Sequence, residues 1–353
     1  MARTVLIAAG GTGGHLYPGI AVAEELLRRD PQTRVVFAGT SRGLESRLLP
    51  RAGYPLELLP ILPLNGVGLA RMLLGLLVLP FGLLRASGLV LRLRPAAVLG
   101  VGGYAGGPVT LVAALLGVRT VILEPNAKPG FTNRVLRPFV GAAACAWDEA
   151  RAFFGSKGVL TGNPVRGGFA AVPARAPREP RSLLVFGGSQ GSRVLNEACV
   201  KALAHLPGAD RVRIVHQTGP VMRGLVATAY AGRAALVTAY LDDMESRFDD
   251  ADLVVARSGA TTCAELQAAG KASILVPFAR SADDHQRLNA AAMAARGAAV
   301  VLEERDLTGE SLAAAIRSLL EDPDRLEDMG EAARAMARPD AAARVADLLV
   351  GAA

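Results

Sequence analysis

At 353 residues the chain exceeds what one ordinary hydrophobic core serves, and it is expected to fold as two domains of moderate size. Hydrophobic residues make up 51% and charged residues 20%, a balance that excludes intrinsic disorder. The net charge of +7 rests on arginine, since Lys128, Lys157, Lys201 and Lys271 are the only lysines; it points to an anionic partner or, equally, to genomic base composition.

In chain order, TVLIAAG (4–10) predicts a buried strand that runs into a glycine loop, GGTGGH (10–15). That start lacks the basic and apolar regions of a signal peptide, so the protein is expected to stay in the cytoplasm. Across residues 18–29, Ile20, Ala23, Leu26 and Leu27 fall near one helical face, and Pro18 suits a helix start, where its missing N–H is not needed. RVVFAG (34–39), AAVLGVGG (96–103) and RTVILE (119–124) supply further strands.

Between them, RMLLGLLVLPFGLLR (71–85) is an apolar run flanked by arginines. It is shorter than the ~20 residues of a spanning helix and is interrupted by Pro80 and two glycines, so it is not expected to cross a bilayer. Two readings stay open. It is a buried core helix, or a partly exposed membrane patch of Leu73, Leu76, Leu77 and Phe81 whose neighbours Arg71, Arg85, Arg92 and Arg94 meet anionic headgroups.

Near TGNPVRGG (161–168) the pattern breaks, and VPARAPREP (172–180) has no periodicity, which places the domain junction here. The rhythm restarts with SLLVFGG (182–188), a helix from about Ser192, then RVRIVHQTG (211–219), ADLVVARSG (251–259) and KASILVPF (271–278). The expected fold class is α/β, with two Rossmann-like domains of mainly parallel sheet facing a cleft. Residues 1–162 would form the first domain, 163–338 the second, and 339–353 a helix crossing back to the first.

Three strands end in glycine loops: GGTGGH (10–15), GGYAGG (102–107) and GGSQGS (187–192). Glycine permits positive φ and close backbone approach, so each loop either presents helix N-terminal amides to a phosphate or turns a tight corner. A dinucleotide fingerprint fails at GTGGHL (11–16), where Leu16 replaces the last glycine, and RVVFAGTS (34–41) lacks the acidic residue that holds an adenosine ribose. No phosphate-binding loop of the NTPase type occurs.

A better nucleotide signal is ARSGATTCAEL (256–266), a strand entering a small-residue turn and a helix. Hydroxyls of Ser258, Thr261 and Thr262 could receive a diphosphate there, while Glu265 either accepts both ribose hydroxyls or is a solvated helix residue. His15, directly after the first glycine loop, is either a proton acceptor for a hydroxyl or a structural histidine. His205, His216 and His285 show no metal-ligand spacing with it. The odd, scattered Cys145, Cys199 and Cys263 suggest neither disulfides nor zinc. Asp250-Ala251-Asp252 matches a metal-binding D-x-D in letters, but it precedes a strand and reads as a cap.

Taken together, GGTGGHLYPG (10–19), GGYAGGP (102–108), EPNAKPGFTNR (124–134), GNPVR (162–166), GGSQGS (187–192), RSGATTCAEL (257–266) and DDHQRLNA (283–290) resemble one family. It is the bacterial N-acetylglucosaminyltransferase family that converts lipid I to lipid II in peptidoglycan synthesis. The resemblance implies the glycosyltransferase B fold, with the lipid-linked acceptor on the N-terminal domain and UDP-N-acetylglucosamine mainly on the C-terminal one. Carried over by motif, Thr12, Gly13, Gly14 and Asn126 would lie near the transferred sugar. Arg166, Ser189 and Leu241 would hold the uridine diphosphate end, Ala260, Thr261, Thr262 and Glu265 the phosphate and ribose, and Gln286 the sugar hydroxyls. His15 would be the base, with Tyr104 and Asn133 on the acceptor side. Pro125 and His285 stand where the family usually has glutamine.

The implied reaction is a single displacement with inversion, in which the muramyl 4-hydroxyl attacks and UDP leaves. It needs no cofactor and no bound metal, with stimulation by a divalent ion left open. The resemblance also implies a peripheral enzyme on the cytoplasmic face of the plasma membrane, meeting an anionic membrane surface and cell-wall synthesis or division proteins. Competing expectations are an epimerase acting on the donor alone and a sugar-nucleotide sensor without transfer. Nucleic acid is disfavoured as a partner by 5% aromatic residues and no reading module.

Overall fold

The computed structural model describes residues 3–10, 13–41, 45–62, 68–176, 178–206 and 211–351. It divides into two compact units, Met1–Arg166 with Arg338–Ala353, and Gly167–Ala337. The handover thus falls after Arg166 rather than after residue 162. The reason is local: the Arg166 guanidinium lies over the Tyr17 ring, 4.8 Å from its centroid, and keeps the GNPVR segment with the first unit.

Unit 1 carries β1 (Thr4–Ala8), α1 (Gly13–Arg29), β2 (Arg34–Gly39), α2 (Glu45–Arg51), β3 (Leu56–Leu58), α3 (Leu69–Leu93), β4 (Ala97–Gly100), α4 (Gly103–Leu115), β5 (Arg119–Glu124), α5 (Phe131–Leu136), β6 (Ala142–Cys145), α6 (Asp148–Phe154) and β7 (Gly158–Leu160). Its seven strands are parallel in the order β3-β2-β1-β4-β5-β6-β7. Both faces are covered, which is why the strands read as unbroken apolar runs. Side chains alternate across the sheet. Val5 and Ile7 join Leu16, Val22 and Leu26 of α1, while Leu6 and Ala8 join Ala86, Leu89 and Val90 of α3 and Val109 of α4.

Two helices differ from expectation. α1 begins at Gly13, so Pro18 lies inside it rather than at its start. Leu16 explains the longer helix: it is buried beneath α1, on the same face as Ile20 and Ala23, so winding must begin before it. α3 runs unbroken through Pro80 and both glycines for 25 residues, about 37 Å. The stretch Met72–Leu93 is therefore long and apolar enough to cross a membrane by length and composition. Yet it is the crossover between β3 and β4 of one sheet, and its C-terminal half is held to that sheet by Gly82, Ala86, Leu89 and Val90, a stripe at helical spacing. Spanning a bilayer would strip that stripe from the core. The sheet's short strands cannot cover so long a helix, and its N-terminal half is left largely exposed.

Unit 2 holds α7 (Gly167–Ala170), β8 (Arg181–Phe186), α8 (Arg193–Ala202), β9 (Val212–Gln217), α9 (Arg223–Ala229), β10 (Ala235–Thr238), α10 (Met244–Asp250), β11 (Leu253–Ala256), α11 (Ala260–Ala269), β12 (Ser273–Leu275), α12 (His285–Ala294), β13 (Ala299–Val301), α13 (Gly309–Leu320) and α14 (Pro323–Ala335). The six strands are again parallel, ordered β10-β9-β8-β11-β12-β13. One face packs Leu183 and Val185 against Leu195, Leu312 and Ile316; on the other, Phe186, Phe248 and Phe169 form an aromatic cluster, with Phe169 edge-on to Phe248. α15 (Ala341–Val350) then returns to unit 1 and packs on α1, with Arg29 and Asp347 paired at 2.6 Å.

Because Val345, Ala346 and Leu349 complete the core beneath α1, Leu349→Ala should destabilise unit 1 by about 2–4 kcal/mol. Urea unfolding followed separately for the two units should move the unit 1 transition and leave unit 2 in place; equal shifts would show that α15 is not specific to unit 1.

Candidate active site

Strand order reverses direction between β1 and β4 in unit 1 and between β8 and β11 in unit 2. At such a point the loops leaving adjacent strands diverge and open a crevice at the strands' C-terminal ends. The loops after β1 and β4 carry GGTGGH and GGYAGG, and those after β8 and β11 carry GGSQGS and RSGATT. Every glycine loop singled out in the sequence, with the nucleotide candidate, therefore stands at a switch point.

In unit 1, His15 sits in the first turn of α1 against the loop after β4. Gly102 and Gly103 hold φ of 92° and 72°, left-handed values that favour glycine. They also make room for the imidazole: a Cβ at Gly102 would stand 3.3 Å from His15 Nε2, and one at Gly103 would stand 2.7 Å from the Gly10 carbonyl oxygen. Asn133 approaches the same place, its Nδ2 lying 4.0 Å from that Gly102 position. Thr12 lies outside the described residues; Gly13 and Gly14 open α1.

The anchor of this half is Glu124, a residue outside the candidate site residues named from the sequence. Glu124 ends β5, is buried, and accepts hydrogen bonds from Asn126 N at 3.0 Å, Asn126 Nδ2 at 3.2 Å, Gly130 N at 2.9 Å and Asn133 Nδ2 at 2.9 Å. Burial pushes its carboxyl upward, and those four donors pull it back. Asn126 and Asn133 are thus fixed by one carboxylate. A lone acidic residue closing the apolar run RTVILE was the available signal. Pro125 is buried and its carbonyl accepts the Trp147 indole N–H at 3.1 Å, so the proline still serves the loop through its backbone. Tyr104 turns its hydroxyl to within 3.4 Å of Thr40 Oγ1, which in turn donates to Glu45.

In unit 2, the loop after β8 is held by close backbone packing. Gly191 takes φ of 74°, and a Cβ there would fall 1.9 Å from the Thr218 carbonyl oxygen. Ser192 caps α8 through the Leu195 N–H, and its hydroxyl also accepts from Arg257 at 2.7 Å. Arg257 further donates to the Val276 and Pro277 carbonyls and pairs with Glu304. Its burial draws the guanidinium down and Glu304 opposes this. One buried cation thereby ties together the loops after β8, β11 and β12, a role not legible in the sequence.

Ala260, Thr261 and Thr262 form the first turn of α11, and Glu265 is buried one turn on. Ser258 donates to the Gln286 carbonyl at 2.8 Å, while the Gln286 side chain accepts the Phe278 N–H at 3.0 Å. Ser189 is half-buried in the loop after β8, and Leu241 is buried after β10. Arg166, expected with those two, lies in unit 1. His285 opens α12 with Nε2 3.9 Å from Asp283. Asp252 accepts the Ser182 N–H at 2.7 Å, at the opposite end of β11 from the switch loop, which places it as a cap on the start of β8. Behind the site, buried His216 on β9 meets Tyr230 Oη and Asn196 Oδ1, each at 3.0 Å.

Residues 5–145 match the family described as glycosyltransferase family 28 N-terminal domain, and residues 182–345 the glycosyltransferase family 28 C-terminal domain. The chain is 47% identical over 352 residues to the UDP-N-acetylglucosamine–N-acetylmuramyl-(pentapeptide) pyrophosphoryl-undecaprenol N-acetylglucosamine transferase of Myxococcus xanthus, covering 98% of this chain and 92% of that one. It is 44% identical over 354 residues to the transferase of the same name from Citrifermentans bemidjiense, covering 98% and 99%. Among solved structures, MurG of Acinetobacter baumannii superposes with a TM-score of 0.80 at 31% identity over 99% of each chain. A UDP-N-acetylglucosamine 2-epimerase superposes at 0.68 with 13% identity over 99% and 96%, a likeness of fold alone.

Burial lowers His216 from the ordinary 6.5 to about 4. Between those values the unfolded chain takes up a proton that the folded chain refuses, so this contribution to stability is complete above pH 6.5 and is lost as pH falls toward 4. Thermal unfolding of unit 2 should show a slope approaching about 1.4 kcal/mol per pH unit in that window, and His216→Gln should flatten it. An unchanged slope in the variant would assign the acid sensitivity to other groups.

Proposed function

The chain belongs to glycosyltransferase family 28, and on that premise we propose that it moves N-acetylglucosamine from UDP onto the muramyl sugar of undecaprenyl-pyrophosphoryl-N-acetylmuramyl-pentapeptide. The observation that carries this reading is the near-full-length likeness to transferases named for that reaction. Unit 1 takes the lipid-linked acceptor and unit 2 the UDP end of the donor.

In the reaction the muramyl 4-hydroxyl oxygen forms a bond to the anomeric carbon of N-acetylglucosamine as the bond from that carbon to the UDP oxygen breaks. The configuration inverts in one displacement. His15 takes the hydroxyl proton, and its seat in the first turn of α1 against Gly102 and Gly103, where a side chain would crowd the imidazole, favours this role. Asn126 and Asn133, both oriented by Glu124, flank the sugars. The charge developing on UDP is met by amides at the start of α11, with the Thr261 and Thr262 hydroxyls, and Glu265 receives the ribose. Ser189, Leu241 and Gln286 complete the donor contacts, with Tyr104 on the acceptor side. The diphosphate is stabilised by backbone amides, and no divalent ion is required.

The chemistry of α3 supports peripheral membrane attachment through that helix. Leu73, Leu76, Leu77 and Phe81 are exposed, Leu77 at 78%, and Arg85 is exposed beside them. Arg71 opens the same helix, its side chain outside the described residues, while Arg92 pairs with Glu57 and Arg94 closes the helix in a left-handed conformation. Between residues 58 and 147 the only carboxylate is the buried Glu124, so this stretch opposes no anionic lipid. Together with the family's reaction, this supports a location on the cytoplasmic face of the plasma membrane.

Purified protein incubated with labelled UDP-N-acetylglucosamine and a lipid I analogue should move label into lipid and release UDP only when both substrates are present; release or epimerisation without acceptor would reject transfer. His15→Ala should lower turnover about 10²–10⁴-fold with UDP affinity unchanged, and near-normal turnover would remove His15 from the role. Leu77→Glu with Phe81→Glu should weaken binding to anionic vesicles at least about tenfold, since each apolar side chain withdrawn from lipid forfeits on the order of 1 kcal/mol or more. Equal vesicle binding by this variant and the parent protein would exclude α3 as the contact.

A further inference from the structure

The two residues that end β9, His216 and Gln217, are both buried and carry no part in the reaction just described. Gln217 joins two segments with one amide: its Nε2 donates to the Gly188 carbonyl at 3.0 Å, and its Oε1 accepts the Leu241 N–H at 2.9 Å. Gly188 precedes Ser189 in the loop after β8, and Leu241 follows β10. The side chain therefore spans the loop on one side of β9 and the segment on the other, through one buried and one part-buried hydrogen bond.

His216 supports the same loop from behind. Asn196 gives its Nδ2 proton to the Thr218 carbonyl at 2.9 Å, so Asn196 Oδ1 is the acceptor facing the ring. His216 Nε2 then carries the proton and Nδ1 accepts from Tyr230. The chain from Tyr230 through His216 and Asn196 ends on Thr218, whose carbonyl presses on Gly191. Gly219 meets Gln190 as closely: a Cβ on it would fall 2.1 Å from the Gln190 carbonyl oxygen. Thr218 is pinned on its other side by Thr238, its N–H donating to that carbonyl at 2.9 Å and its hydroxyl at 3.2 Å.

We propose that Gln217, backed by the His216–Asn196 pair, is a positioning residue for the nucleotide: it fixes the spacing between the Ser189 loop and Leu241 and so sets affinity for the uridine diphosphate of the donor without touching it. The inference rests on the placement of UDP on unit 2 and adds to it the residues that hold the two sides of that site apart.

The test is calorimetric titration of UDP into the full chain without acceptor, together with steady-state KM for each substrate. Gln217→Met keeps the side-chain length and removes both hydrogen bonds; Gln217→Glu keeps the acceptor for Leu241 N and sets a carboxylate oxygen against the Gly188 carbonyl. Both should raise the Kd for UDP and the donor KM about tenfold, Gln217→Met by losing both hydrogen bonds and Gln217→Glu by losing one and setting two acceptors against each other, while kcat at saturating donor stays within about twofold and the acceptor KM is unchanged. Tyr230→Phe, which removes only the far end of the chain, should raise the donor KM about threefold, and it decides the matter if the Gln217 variants do not fold. Wild-type UDP affinity in the folded variants overturns the inference while leaving UDP on unit 2. A parallel fall in kcat and rise in both KM values overturns it in favour of a purely structural role. A parent protein that binds no UDP would instead defeat the assignment of the nucleotide itself.

Discussion

Every strand in both sheets runs parallel to its neighbours, and that single constraint places the chemistry. In a parallel sheet all chain segments that follow a strand leave from the same edge, and helices must carry the chain back over the faces. Residues far apart in sequence, such as His15 after β1, Gly102 after β4 and Asn126 after β5, are thereby delivered to one edge of unit 1. The same rule gathers Ser189, Leu241, Ala260 and Gln286 at the corresponding edge of unit 2. Glycine is required where those exits crowd, because the carbonyl of one loop sits where the side chain of another would be.

The loops at that edge stay ordered because a few buried polar side chains satisfy their backbones. Glu124 serves Asn126, Gly130 and Asn133; Arg257 serves Ser192, Val276 and Pro277; Gln217 serves Gly188 and Leu241. Each replaces water that the loop would otherwise need, and each is costly to bury unless fully partnered. Buried residues that hydrogen-bond the loops thus determine where the candidate site residues are held. The upward push on the Glu124 carboxyl and the downward pull on the Arg257 guanidinium are the electrostatic mark of that burial.

α3 follows from the same topology. A crossover from β3 to β4 needs only enough helix to traverse a short strand, yet this one has 25 residues. The surplus extends beyond the sheet with leucines and a phenylalanine on its outer surface, in a stretch of chain whose sole carboxylate is buried. So contiguous an exposed apolar surface marks an interaction site, and the membrane surface proposed above is of matching chemistry.

The amino-acid sequence by itself determined the α/β class, the two domains and most strands, because a strand buried on both faces must be an unbroken apolar run bounded by turn residues. It also marked the glycine loops, His15 and the RSGATT turn as candidates, because glycine and small residues are what the tight strand-to-helix corners require. It misplaced the start of α1 and the extent of α3, since tertiary burial of Leu16 and of the stripe from Gly82 to Val90 overrode the local helix-breaking signals of Pro18 and Pro80. Only the tertiary structure decided that the glycine loops share switch points, that Arg166 belongs with Tyr17, and that Glu124, Arg257 and Gln217 hold the loops. Those roles depend on partners distant along the chain, and a hydrogen bond such as that between Arg257 and Ser192 leaves no period or spacing in the sequence from which it could be read.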